Sequence, residues 1–283
     1  MNGFFYIDKQ SDWTSRDVCN KVQKIFNLPK VGHIGTLDPF ATGLLIVCVG
    51  SGTKAGTFFD DDEKEYIATL SLGQKTSTGD LTGEVLEEKE IKPFNEDDIK
   101  KIFNSLTGEI EQVVPMTSAV HVNGVKLYQY LHKGVEVERP ARKVVVKSLE
   151  LLSFDNKTIT FKAVVSKGTY IRVLGEDIAE RLSNVGHLTA LRRTRIGSAT
   201  LEKAKTLDEV KKDDLIPIKD LLCDIPHFVL CGDKLNQAKH GMTIPFEGKG
   251  NSDRILILDE NDVAIAMYRH DHQDYYKCLR GLL

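Results

Sequence analysis

The chain reads as an α+β protein: a mixed, mostly antiparallel central sheet, followed by a small C-terminal β domain. Three observations predict this. Strand-like runs outnumber helical ones, and they do not alternate strictly with helices as a doubly wound sheet would require. Past about residue 225 the pattern shifts to short strands and Gly-rich turns, which divides the chain into 1–225 and 226–283. The length of 283 residues accommodates a large domain plus a small one.

In chain order, Gly3–Asp8 is a short apolar run suited to a strand. Thr14 and Asp17 stand at capping-box spacing, and Val18, Val22, Ile25 and Phe26 then recur at helical intervals, so 15–26 is an amphipathic helix. The next stretch, Pro29 to Pro39, holds two prolines and two glycines and cannot be regular for long. Leu44–Val49 is a buried strand. Lys54–Phe59 begins a short helix that runs into the acidic stretch Asp60–Glu63. Tyr66–Leu72 alternates as a strand, Thr76–Gly83 is a polar loop, and Glu96–Leu106 shows a helical apolar face. Residues 115–143 form a long insertion with a helix at Lys126–His132, and an insertion of that length usually has its own task. Lys143–Leu152 and Thr158–Val165 are strands joined at Asp155-Asn156. Ile171–Leu182 is an amphipathic helix, and His187–Gly197 is a basic strand.

Composition narrows the function classes. With 41% hydrophobic and 28% charged residues, the chain is ordinary globular material. A net charge of −3 means that nucleic acid would have to be bound by a local basic face. Five scattered cysteines (Cys19, Cys48, Cys223, Cys231 and Cys278) form no C-x-x-C pair and suit a reducing compartment. The N-terminus lacks a signal-peptide pattern, and no apolar run approaches the ~20 residues of a membrane span, so a soluble cytoplasmic protein is expected. There is no G-x-G-x-x-G, no P-loop and no set of metal ligands, so neither a cofactor nor a metal is expected.

The most informative segment is Gly32-His33-Ile34-Gly35-Thr36-Leu37-Asp38-Pro39. Pro39 biases Asp38 away from the α region, and the two glycines let the backbone pass close to a ligand. Taken alone, an Asp before Pro is more often just a turn former. The full string, however, runs G-H-x-G-T-L-D-P-x-A-T-G-L-L from Gly32 to Leu45 and closely resembles the catalytic motif of the TruB family of pseudouridine synthases. Further motifs follow in order. Asp8-Lys9 through Thr14-Ser15 resembles "DKPxGxTS", with Gln10 for the family's Pro and Asp12 for its Gly. Gly52-Thr53-Lys54 resembles "xATK", Lys64-Glu65-Tyr66 "KxY", and Leu72 to Asp80 "LGxxTxTxD". Lys167 to Arg172 resembles "KGTYIR", and Leu188 to Gly197 "LxxLRRTxxG". The resemblance spans about residues 3–200.

The resemblance implies an enzyme that isomerises a uridine of the tRNA TΨC loop, at position 55, to pseudouridine. It makes Asp38 the catalytic nucleophile and Arg172 its guanidinium partner, with Tyr66 packing against the target base. The chemistry suits these residue types. The reaction is redox-neutral, the nucleophilic carboxylate must be ionised, and a close guanidinium keeps a buried one so. The base must leave its stack, and a flipped pyrimidine needs an aromatic face. A Tyr alone is more often a core aromatic, but its place in "GTYIR" makes Tyr170 line the pocket beside Arg172; Leu191 would give the pocket an apolar wall, with a core role nearly as apt. His33 would touch the RNA. Lys9, Lys54, Asp80, Arg193 and Arg195 complete the substrate-binding set. By strand alternation Arg193 and Arg195 share a face while Arg192 points away. The 115–143 insertion, dotted with Lys126, Lys133, Arg139, Arg142 and Lys143, resembles a thumb-like loop that closes on an RNA hairpin. The usual "PPxYSA" here reads Val114 to Ala119, with Thr117 in place of the aromatic. Residues 226–283 resemble a PUA domain, a small RNA-binding β-barrel, against the plainer reading of a generic β module. A monomer with tRNA as its partner is expected. Two rivals are a non-catalytic RNA binder on the same fold and a nucleoside hydrolase. The first has no need of Asp38, Tyr66 and Arg172 together, and the second needs another acid that the sequence does not offer.

Overall fold

The computed structural model describes residues 1–59, 63–246 and 252–283. The chain divides into two compact units. One comprises Met1–Asp38, Leu44–Asp60 and Leu201–Leu283, the other Pro39–Gly43 and Asp61–Thr200. The first unit opens with β1 (Gly3–Lys9), in which Phe4, Phe5 and Ile7 are fully buried. Consecutive burial means that both faces of the strand are covered, as its unbroken apolar run requires. α1 (Ser15–Phe26) begins in a complete capping box. The Thr14 hydroxyl accepts from the Asp17 amide and the Asp17 carboxylate accepts from the Thr14 amide, which satisfies two of the helix's otherwise unpaired main-chain donors. β2 (Val31–Ile34) pairs antiparallel with β3 (Thr42–Val49), which also lies beside β1. The helix expected from Lys54 starts earlier, as α2 (Gly52–Ala55), and tightens into a 3₁₀ turn over Gly56–Phe58. Asp60–Asp62 of the acidic stretch lie outside the described residues.

The second unit carries β4 (Lys64–Leu72), β5 (Gln74–Thr76), β6 (Val85–Glu88), α3 (Glu96–Leu106) and β7 (Gly108–Val113). The insertion supplies β8 (His121–Val122), β9 (Val125–Lys126) and α4 (Leu127–His132). β10 (Ala141–Phe154), β11 (Thr158–Val165), α5 (Ile171–Arg181), β12 (Gly186–Ile196) and β13 (Ala199–Thr200) complete it. Within this unit the sheet runs from the first residues of β3 through β12, β4, β11, β10 and β7. The β3–β12 contact at Thr42 and Gly43 is parallel, and the other pairings along this path are antiparallel. The α+β class and the mixed, mostly antiparallel sheet are therefore as the sequence predicts.

Three elements escaped the pattern. Thr76–Gly83 is a loop as expected, organised locally by Asp80 (below), but the short strands β5 and β6 that it joins as a hairpin went unpredicted. β7 carries Glu109 and Glu111 outward and only two large apolar residues; its register on β10 from Ala141 to Val146, rather than its own composition, makes it a strand. β8 and β9 turn at Asn123-Gly124, both with positive φ, a two-residue hairpin signal that the long insertion obscured.

After residue 200 come α6 (Ile218–Leu221), β14 (His227–Val229), α7 (Gly232–Lys239), β15 (Ile244–Pro245), β16 (Arg254–Leu258), β17 (Ala264–His272) and β18 (Tyr275–Gly281). The strands form a separate five-stranded sheet in the order β14-β16-β17-β18-β15. Its apolar core includes Ile244, Phe246, Ile257, Ile265 and the buried Tyr268 and Tyr276. Both tyrosine hydroxyls donate to main-chain carbonyls, of Met242 and Ser252, which removes the cost of burying them. The Gly-rich stretch at 247–251 lies outside the described residues. Among the described residues, no helix is long and apolar enough to cross a membrane.

Candidate active site

Asp38 lies on the irregular connection between β2 and β3 and is half-buried. One hydroxyl fixes the residue before it. Ser15 Oγ donates to the Leu37 carbonyl at 3.1 Å and accepts from the Leu37 amide at 2.9 Å, across 22 residues of sequence. Ser15 is buried at the first position of α1, so the Thr14 cap that starts the helix also sets the anchor for the Asp38 loop. Of the two glycines singled out, only Gly35 adopts a left-handed φ, +62°, whereas Gly32 sits in β2. The close backbone approach occurs instead at Gly43. There φ is +98°, and an added Cβ would lie 2.3 Å from the Arg193 carbonyl oxygen. That glycine serves strand packing rather than ligand approach. His33 is half-buried and, with Gly35, Thr36, Cys48, Thr53 and Thr57, lines an open cleft in the first unit.

Arg172 is the second residue of α5 and is only 4% exposed. Its Nη1 donates to the Thr78 carbonyl at 2.8 Å and to the Thr117 hydroxyl, and lies 3.6 Å from Asp80 Oδ2. Asp80 is itself held. Its Oδ1 accepts from the Thr78 hydroxyl at 2.8 Å, the Thr82 hydroxyl at 2.6 Å and the Thr82 amide at 2.9 Å. The threonine-rich turn thus aims a carboxylate at the guanidinium, and Asp80 belongs to Arg172's setting. Thr117 fills the place where the motif has an aromatic, and it does so with a hydrogen bond. Tyr170, the N-cap of α5, offers no side-chain cap. The Gln112 amide supplies one from β7, accepting from the Tyr170 amide at 3.0 Å and donating to the Tyr170 carbonyl at 3.2 Å.

Tyr66 on β4 is 7% exposed and stands directly opposite Arg193 on β12. Leu191, buried as well, faces Ala68. The expectation for the arginines needs correction. A register shift between Arg193 and Arg195 breaks the two-residue alternation. Arg193 is fully buried, while Arg192 and Arg195 are half-buried. In this structure the Arg193 guanidinium lies in the interior rather than on an exposed basic surface. Arg195 donates to the Gly197 carbonyl at 3.2 Å and Arg192 to the Thr42 hydroxyl at 3.2 Å.

Lys9 is likewise no exposed cation. It is fully buried, and its ammonium donates to the carbonyls of Trp13 at 2.7 Å and Gln10 at 3.0 Å, clamping the turn ahead of α1. Asp12, in the place of the motif's glycine, takes a left-handed φ of +67°, a conformation that Asp tolerates better than most residues, so the turn survives the substitution. Lys54 donates to the main-chain oxygen of Leu283. Of the insertion's cations, Arg142 packs over the Tyr170 ring at 5.7 Å, Lys143 pairs with Glu109 and Lys126 lies over Tyr128. Among the described residues, no three His, Cys, Asp or Glu side chains converge as a metal-ligand set.

The structure thus gathers Arg172, Asp80 and Tyr170 in one cluster and sets Tyr66 against Arg193 on the sheet. Lys9 and Lys54 take internal bonds. Sequence reasoning overlooked Ser15 and Gln112. Ser15 was visible inside the Thr14-Ser15 pair, directly after a predicted cap. Gln112 gave no signal, being one polar residue in an unrecognised strand 58 positions from its partner.

The N-terminal domain of TruB family pseudouridylate synthases matches residues 23–171. The tRNA pseudouridine synthase B of Acholeplasma laidlawii is 38% identical over 275 residues, covering 97% of this chain and 98% of that protein. The protein of the same name from Bacillus pumilus is 35% identical over 286 residues, covering 95% and 93%. Among solved structures, a Cbf5-Nop10-Gar1 complex aligns with a TM-score of 0.73 at 23% identity, over 99% of this chain and 85% of that one, which is a likeness of fold. With a matching N-terminal domain, end-to-end relatives and the same fold, the chain belongs to the TruB family of pseudouridylate synthases.

Proposed function

We propose that the protein converts a uridine of tRNA to pseudouridine, at position 55 of the TΨC loop, with Asp38 as nucleophile. The reaction breaks the uracil N1–ribose C1′ bond and forms a C5–C1′ bond; a proton leaves C5 and one is gained at N1, so no electrons are exchanged. The observation that carries this reading is the uninterrupted Gly32–Leu45 motif, with the residue before Asp38 pinned at both its amide and its carbonyl by Ser15. A nucleophile on an irregular loop needs such an anchor, because catalysis by approach depends on aim. Relatives that match nearly the full chain and are named tRNA pseudouridine synthase B support tRNA as the substrate.

In this proposal Arg172 keeps the Asp38 carboxylate ionised, as the family motif implies. The target base is extruded from its stack, with Tyr66 as its aromatic face and Tyr170 and Leu191 lining the pocket. His33 contacts the RNA. Residues 115–143 clasp the hairpin, and residues 226–283, whose sheet has its own core, form a PUA-like RNA-binding module. No cofactor takes part, the enzyme acts as a monomer, and it works in the cytoplasm, where its five free thiols stay reduced.

The test is to incubate the protein with an unmodified tRNA transcript and map pseudouridine at single-nucleotide resolution. One modified site in the TΨC loop is expected. Asp38→Asn should leave less than about a thousandth of the rate, as loss of a nucleophile does, while RNA affinity, dominated by phosphate contacts, holds. Substantial modification by Asp38→Asn would overturn the assignment, and modification at another loop would overturn the site.

A further inference from the structure

We propose that Gln112 and Thr117, which flank the entry to the 115–143 insertion, are positioning residues that set Tyr170 and Arg172. Through them the insertion's root is tied to the catalytic guanidinium. This rests on the reading above that Arg172 and Tyr170 belong to the reaction site.

Residues 112 and 117 grip a single short segment, Tyr170-Ile171-Arg172, at both ends. Gln112 is 1% exposed and makes two hydrogen bonds to the Tyr170 peptide groups, imitating a strand partner where α5 has no cap of its own. Arg142 is the residue directly opposite Gln112 in the β7–β10 ladder, and its guanidinium lies over the Tyr170 ring. Tyr170 is therefore held through its main chain by one residue of a cross-strand pair and through its ring by the other. Thr117 accepts from Arg172 Nη1, beside the Thr78 carbonyl, which also accepts from it, and the Asp80 carboxylate 3.6 Å away. The Thr78 contact is to a main-chain carbonyl, and Asp80 lies on the same turn. Thr117 alone among these three reaches Arg172 from the insertion.

The carbonyl, hydroxyl and carboxylate around Nη1 give the guanidinium a defined direction, and losing the Thr117 hydroxyl removes the contact that the insertion contributes to it. The chain between 117 and 142 is the part read as clasping RNA. Its two roots, 112–117 on one side and Arg142 on the other, both bear on 170–172. Movement of the insertion on binding RNA would be felt at Tyr170 and Arg172 before anywhere else in this cluster.

The experiment compares single-turnover rates at saturating enzyme with RNA binding constants. Thr117→Val keeps the shape and removes the hydroxyl; Thr117→Ser restores it. Gln112→Met removes both amide bonds; Gln112→Glu keeps the acceptor for the Tyr170 amide. We expect Thr117→Val and Gln112→Met to lower the rate about tenfold or more, the effect of a lost bond to a charged or pre-aimed group, with binding unchanged. Thr117→Ser should recover most of the rate, and Gln112→Glu should fall between Gln112→Met and wild type. Should Gln112→Met fail to fold, the Thr117 pair and Gln112→Glu decide the matter. Arg172→Ala run in parallel separates the two readings. If Arg172→Ala is slow and both Thr117→Val and Gln112→Met are fast, the positioning role is wrong. If Arg172→Ala itself turns over at the wild-type rate, the reading of Arg172 is wrong and the positioning role falls with it. Equal loss in Thr117→Val and Thr117→Ser, or loss confined to RNA affinity, would also overturn it.

Discussion

Asp38 lies on an irregular loop between two strands and Arg172 in the first turn of α5, and the two are held in different ways. The Asp38 loop is anchored through its main chain: one buried hydroxyl, Ser15, closes two bonds on the Leu37 peptide groups. Arg172 is anchored through its side chain, by a carbonyl, a hydroxyl and a carboxylate around one guanidinium nitrogen. A backbone anchor sets where a group sits without spending the group's own hydrogen-bonding capacity. A side-chain anchor spends that capacity to fix direction. In the proposed reaction the first suits Asp38 as nucleophile and the second suits Arg172 as a fixed positive charge.

Substituting the side-chain-anchored group should produce the larger effect. Arg172→Lys keeps the charge and loses the planar fork, so the single-turnover rate at saturating RNA should fall about 100-fold while affinity holds. Weakened binding with an unchanged rate would make Arg172 a phosphate contact and dissolve the comparison. Ser15→Ala tests the other anchor. Removing a hydroxyl that satisfies two buried peptide groups should cost about 1–3 kcal/mol in urea unfolding. The rate should fall about tenfold as Asp38 loses its aim. If stability falls and the rate does not, the anchor is purely structural.

Proton titration separates the two helices. Asp17, in the cap that starts α1, has its pKa lowered by hydrogen bonds from the Thr14 hydroxyl and amide. That contribution to stability is present above the unfolded pKa and is lost as pH falls. Asp177 on α5 is the reverse. Desolvation raises its pKa from 3.8 to about 6, opposed by Arg181 and reinforced by Glu180. A carboxyl with a raised pKa favours folding fully only below its unfolded value, and that contribution is lost as pH rises through about 6. Asp177→Asn should therefore raise stability at pH 7–8 by about 1–2 kcal/mol after allowance for solvent screening, with the gain vanishing below about pH 4. Thermal unfolding of both proteins across pH 4–8 checks this; a pH-independent difference would refute the desolvation account.

The smallest effects concern the arginines of β12. Neutralising half-buried Arg195 should shallow the salt dependence of RNA affinity by about one unit of slope if it meets a phosphate. Arg193→Met should leave the slope unchanged and lower stability, because Arg193 is fully buried. A reduced slope for Arg193→Met would return it to the RNA-contacting set.

Sequence by itself determined the elements whose signal is local. α1 and α3 are found with the expected bounds because capping and a 3.6-residue apolar period are both short-range. The family was legible for a similar reason, since Gly32–Leu45 is one contiguous string. Tertiary structure alone decided what depends on residues far apart in the chain. β7 is a strand only because β10 lies beside it, and Gln112 matters only because that pairing brings it to Tyr170. Likewise the bulge in β12, seen only in its register on β4, breaks the alternation between the buried Arg193 and Arg195. Lys9, read as a binding cation, is a buried turn clamp for the same physical reason: a charge is assigned to surface or interior by what the fold packs around it, and residue type alone carries no record of that packing.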